Sequence, residues 1–223
     1  MLKHLMINQK LIPVPVPLRN LAEVCTWVDE TLVEVGKTVT SAILDGRNVL
    51  ELWGQLTVCE SVSIHPDMRL ELRVESPEEL TLQSLDAIQS LCLAILSGIK
   101  SLAVHLWQAR KNDIQPELVE VINDLDLVVG LIDRLRDMGV DQNAELGKLI
   151  ERLEQLQKNL NDLSRAKLSG DWKEAAQILL RGTPTSPGLE TVLRGVSAES
   201  RALHQSLMVA MDTAPQGARI GLK

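Results

Sequence analysis

The dominant period of the hydrophobic residues changes at Ser76, and that change constrains the fold more than any other feature. Just before it, Met68, Leu70, Leu72 and Val74 alternate with Arg69, Glu71, Arg73 and Glu75. Successive side chains of a strand point to opposite faces, so this stretch reads as a strand with one buried and one charged face. Just after it, Ser76-Pro77-Glu78-Glu79 combines an N-cap, a proline at the first helical position and a capping-box glutamate, which together start a helix. Beyond that point the apolar residues recur at helical spacing. Strands around one helix before that point, and helices alone after it, make the α+β class. The predicted organisation is a small sheet domain over 1–76, an antiparallel helical bundle over 77–212 and a flexible tail over 213–223.

Within the first region, Leu2–Ile7 reads as a strand, Asn8-Gln9-Lys10 as a turn and Leu11–Val16 as the return. Pro13, Pro15 and Pro17 occupy alternate positions there. Successive amides point to opposite edges of a strand, so all three missing donors lie on one edge and the return must border the sheet. Asn20 is placed to cap a helix carrying Leu21, Val24, Val28, Leu32 and Val35, with Gly36 just past its end. Thr38–Leu44 is rich in β-branched residues, and Asp45-Gly46 turns it into a short strand over Arg47–Leu50.

This order (strand, strand, helix, strand, strand, strand) resembles the ubiquitin-like β-grasp fold over about 75 residues. The resemblance implies a mixed sheet with one helix packed on it and, as function, a non-catalytic docking module. Conjugation is not implied, because the last strand runs straight into a helix and the chain ends Gly221-Leu222-Lys223 instead of Gly-Gly. The iron–sulfur members of the fold need four cysteines, and here there are three, Cys25, Cys59 and Cys92.

In the second region the first helix is predicted to reach about Arg110, the next to span Pro116–Met138 and the third Asp141–Leu168. On the third, Leu146, Leu149, Leu153, Leu156, Leu160 and Leu163 alternate three- and four-residue steps, a coiled-coil-like seam. The flanking positions lack a ladder of opposite charges, which favours a bundle helix over a parallel zipper. Asp171 caps a short helix ending at Gly182, Thr183–Gly188 reads as a turn-rich linker, and a last helix runs to about Met211. Ala87–Ala109 carries one formal charge, Lys100, but also several polar residues. A central helix buried in a bundle accounts for it better than a membrane span.

Composition narrows the function. There are four Trp but no Phe or Tyr, so the core must be built from Leu, Val and Ile. The net charge of −7 is spread evenly, with −3 over 1–76 and −4 over 77–223. Without a basic face or stacking aromatics, nucleic-acid binding is not expected. Three separated cysteines beside apolar residues read as buried thiols of a cytoplasmic protein. The thirteen glycines are scattered singly, and no phosphate loop, dinucleotide fingerprint, zinc-helix or nucleophile-elbow motif occurs. No catalytic residue, metal or cofactor is predicted. The alternative is an enzyme with a cleft at the domain junction, using Cys59 or His65.

The candidate contact residues fall in two places. Asp113, Glu117, Glu120 and Asp124 recur at helical spacing and form an acidic stripe. Like charges at that spacing weaken a helix slightly, so the stripe is either a solvated outer face or a docking face for a basic partner. On the last helix Leu189, Val196 and Leu203, with their apolar neighbours, either pack on their own bundle or swap into a partner. Leu168-Ser169-Gly170-Asp171-Trp172 between two helices resembles the helix-turn-helix of small flagellar and secretion export chaperones, although the aromatics common in that family are missing. That resemblance implies a contact role for Trp172. The functional expectation is a non-enzymatic adaptor or assembly-chaperone-like protein that binds protein partners. Self-association through the first and third bundle helices is a further expectation, and membrane insertion is not expected.

Overall fold

The computed structural model describes residues 4–14, 18–31, 37–53, 55–65, 67–110, 113, 115–137, 144–183 and 186–213. The chain divides into two compact units, Met1–Leu80 and Thr81–Lys223.

The first unit is a five-stranded mixed sheet with helices, a β-grasp-like arrangement. Its strands are β1 (His4–Ile7), β2 (Lys10–Ile12), β3 (Thr38–Leu44), β4 (Arg47–Asn48) and β5 (Arg69–Glu75). They lie in the order β2-β1-β5-β3-β4, with β1 and β5 parallel at the centre and the other pairs antiparallel. Both hairpins turn through left-handed residues, Asn8 and Gln9 (φ 48° and 66°) and Asp45 and Gly46 (φ 47° and 78°). That handedness matches the twist of the strands they join.

Asn8 also extends the central pairing. Its Nδ2 donates to the Val74 carbonyl and its Oδ1 accepts from the Val74 amide, both at 2.9 Å. The side chain thus acts as one more residue of β1 against β5. Helix α1 (Leu21–Thr31) starts where Asn20 Oδ1 accepts from the Glu23 amide at 2.9 Å. Leu21, Val24, Cys25 and Val28 share one buried core with Leu5, Leu70, Leu72 and Val74.

Three expectations need correcting in this unit. The return strand borders the sheet but stops at Ile12, with Pro13 exposed and Pro15 and Pro17 outside the described residues. β4 is shorter than Arg47–Leu50, because Asn48 Oδ1 accepts from the Leu50 amide at 3.0 Å and turns the chain into a 3₁₀ segment, Leu50–Leu52. A short helix, α2 (Leu56–Cys59), was not anticipated. Leu32, Val35 and Gly36 lie outside the described residues.

The second unit is built from α3 (Pro77–Gln108), α4 (Pro116–Asp137), α5 (Ala144–Ser169), α6 (Trp172–Leu180) and α7 (Leu189–Thr213). The capping box that opens α3 is reciprocal: the Ser76 amide donates to Glu79 Oε2 at 2.8 Å and the Glu79 amide to Ser76 Oγ at 3.2 Å. The leucine seam of α5 is spent within the chain. Leu146, Leu149, Leu153, Leu156 and Leu163 are buried, Leu160 is half-buried, and α5 packs on α4, α6 and α7. Arg152 Nε pairs with Glu199 Oε1 at 3.2 Å, while Asn159 Nδ2 donates to the Pro187 carbonyl at 3.3 Å. Residues later on α5 therefore meet residues earlier on α7, so the two helices run antiparallel.

Gly170 (φ 67°) ends α5, and Asp171 Oδ1 accepts from the Glu174 amide at 3.0 Å to cap α6. The linker expected over Thr183–Gly188 contains a minimal ladder of β6 (Gly182–Thr183) and β7 (Ser186–Pro187). Gly182 is required there: its φ is 79°, and a β-carbon would overlap the Ser186 carbonyl oxygen. The expected tail beyond Thr213 lies outside the described residues.

α3 departs furthest from expectation. It is long and apolar enough, by length and composition alone, to cross a membrane, yet only 33% of its most apolar 18-residue window is buried. It is not the enclosed central helix that its composition implies.

Candidate interaction surface

The apolar positions of the last helix are occupied by their own bundle. Leu189, Val196 and Leu203 are fully buried in the core of the second unit, and the exposed large apolar residues of α7 are Met208, Val209 and Met211. Of the two alternatives, packing on their own bundle is the arrangement seen; at helical spacing, a core stripe and a docking stripe look alike in sequence. Trp172 is buried too, and its indole N–H donates to the Arg110 carbonyl at 2.7 Å. It clasps the chain just past α3 to the start of α6, and only its rim reaches a shallow groove beside Ala109 and Lys173.

The acidic stripe divides. Asp113 precedes α4, and its Oδ2 accepts from the Arg110 amide at 2.7 Å to close the turn after α3. Glu117, Glu120 and Asp124 instead line a groove of about 420 Å³ against Ala94, Ile95, Gly98, Ser101, Leu102 and His105 of α3. The structure therefore brings together three of the four carboxylates, and it places them beside apolar surface. Among the described residues none of the three has an ion-pair partner.

α3 supplies the surface that sequence reasoning missed. Its buried stripe (Leu85, Ile88, Cys92, Ile95, Ile99, Leu102, Leu106) faces the core. On its other side Leu93, Val104 and Trp107 are 53%, 55% and 52% exposed. Val104 and Trp107 border a second groove, of about 290 Å³, whose far wall is Ala176, Gln177, Leu180 and Arg181. The signal was present in Ala87–Ala109: a helix with one formal charge in 23 residues has more apolar surface than one core face can absorb.

Cys25, Cys59 and Cys92 are buried thiols, none of them in a disulfide. Cys59 Sγ donates to the Leu52 carbonyl at 2.9 Å, and His65 is exposed. Burial pushes the Cys92 thiol up to about 12, which leaves it protonated and inert at neutral pH. Among the described residues no three His, Cys, Asp or Glu side chains gather as a metal site. No protein-family model, curated protein or solved structure matches this chain.

Proposed function

We propose that this chain is a non-enzymatic interaction protein, an adaptor or assembly-chaperone-like molecule that holds a protein partner against α3. The observation that carries this reading is the open side of α3. Over about four turns it exposes Leu93, Val104 and Trp107 with a single charged residue, Lys100, among them. A folded unit gains by burying such a surface, and burial of apolar area is the main drive for association. The β-grasp-like arrangement of the first unit supports the same reading, since docking is a use of that fold that needs no iron–sulfur cluster.

The test is affinity capture with the tagged full chain from its native host, beside a Val104→Ser/Trp107→Ser variant of equal helical content. A stoichiometric partner held by the wild type and lost by the variant is expected. No stoichiometric partner, or robust turnover of a substrate by the purified chain, would overturn the proposal.

A further inference from the structure

We infer that the groove between α3 and α4 receives a basic amphipathic helix of the partner, an inference that rests on the interaction reading above. The groove has the dimensions and floor of a helix seat. From Ala94 to His105 it runs along α3 for about 16 Å, or three helical turns. Ala94, Gly98 and Ser101 line it with small side chains at steps of four and three, and a β-carbon added at Gly98 meets nothing within 4 Å. Small residues at this spacing let a third backbone approach closely, while Ile95, Leu102 and Val121 offer apolar contact below.

Charge selects the occupant. Glu117, Glu120 and Asp124 stand on the α4 wall at i, i+3 and i+7, the spacing at which a helix lying alongside repeats its own side chains. The arginines of this unit that form ion pairs are engaged elsewhere, Arg136 with Asp133, Arg165 with Asp162, Arg194 with Glu190 and Arg152 with Glu199. A partner helix with an apolar stripe and Lys or Arg along one flank satisfies both the floor and the wall. A second copy of this chain docked symmetrically would bring the same carboxylates to face these, and RNA or an anionic membrane would be repelled.

The deciding experiment uses the full chain and three fluorescent 18-residue helical peptides sharing one Leu/Ala face, flanked by Lys, Gln or Glu. Anisotropy is expected to show the Lys peptide binding about tenfold more tightly than the Gln peptide and the Glu peptide not binding. The triple variant Glu117→Gln/Glu120→Gln/Asp124→Asn should remove about tenfold of that affinity and flatten its salt dependence. Gly98→Leu, which fills the floor without loss of helical content, should abolish binding. Equal binding of the Lys and Gln peptides, no effect of the triple variant, or a dimer abolished by Gly98→Leu would overturn the assignment. If Val104→Ser/Trp107→Ser releases the cellular partner and Gly98→Leu does not, the groove assignment fails while the interaction reading stands. If no partner is held and no peptide binds, both fail.

Discussion

On the sheet unit, the side of β5 turned from the core carries Arg69, Glu71 and Arg73, with Glu75 on the same side but covered, whereas on the helical unit α3 turns Leu93, Val104 and Trp107 outward. The β5 residues satisfy one another, with Arg69 and Glu71 paired at 2.8 Å, Arg73 and Glu75 at 2.7 Å, and Thr40 Oγ1 donating to Glu75 at 2.8 Å. An apolar partner would have to strip water from charges there and gain little. On α3 the one charge among the exposed apolar residues, Lys100, pairs with Glu190 at 3.6 Å, and Leu93, Val104 and Trp107 stay exposed. The contrast comes from periodicity: alternation gives a strand a polar face automatically, while a helix leaves most of its circumference free to be polar or not. That α3 stays apolar is therefore a choice written into its residues.

The sharpest blow to the helical side of this comparison is Trp172→Ala, which removes a buried ring and the hydrogen bond to Arg110. It should cost about 3–5 kcal/mol in urea unfolding, with faster amide exchange in α6 and at the end of α3. A loss below about 1 kcal/mol would mean that the clasp does not hold these segments. Next comes Gly182→Ala, where left-handed strain and backbone overlap together should cost about 2–4 kcal/mol in the same measurement.

The sheet side is probed by Asn8→Asp, which sets a carboxylate against the Val74 carbonyl and should cost about 1–3 kcal/mol at pH 7. Only the protonated acid can donate there, so its folded pKa lies above the unfolded value of about 3.9. The deficit should shrink as pH falls through the folded value and reach its minimum below the unfolded one. A pH-independent deficit would rule out the ladder role of the side chain.

Val104→Ser/Trp107→Ser should move the unfolding midpoint by no more than about 0.5 kcal/mol. A larger loss would make this surface structural and blur the contrast. Smallest is Glu190, whose carboxyl is held below the ordinary 4.5 by the hydrogen bond from Arg194, with Lys100 assisting. A lowered pKa adds stability above the ordinary value that is lost as pH falls through the lowered one. Arg194→Met should raise the Glu190 titration midpoint seen by carbon NMR, and an unchanged midpoint would rule out Arg194 as its cause.

Local features of this fold were legible and meetings between distant segments were not. Alternation marked β5, and Ser76-Pro77-Glu78-Glu79 marked the start of α3, because both signals lie within a few residues. The parallel pairing of β1 with β5 rests on contacts such as Asn8 to Val74, 66 residues apart, which no local pattern announces. The acidic spacing of Glu117, Glu120 and Asp124 was readable, but its significance depends on Gly98 and Ser101 lying opposite. Phase along each helix can be read from sequence, whereas the pairing of faces is decided by packing. Leu189, Val196 and Leu203 show the same ambiguity from the other direction, since core and contact stripes share one period.

The clasp between Trp172 and Arg110 joins residues 62 positions apart, and this has a consequence for how the protein is made. Synthesis at about 5–20 residues per second separates their emergence by about 3–12 s. During that interval α3 has left the ribosome while the helices that cover its inner stripe are still being added. Both sides of a helix with one formal charge over its last 22 residues then face water at once. A newborn chain is thus stickiest at α3 some seconds before it can fold, and slowed translation between the two residues would lengthen that exposure.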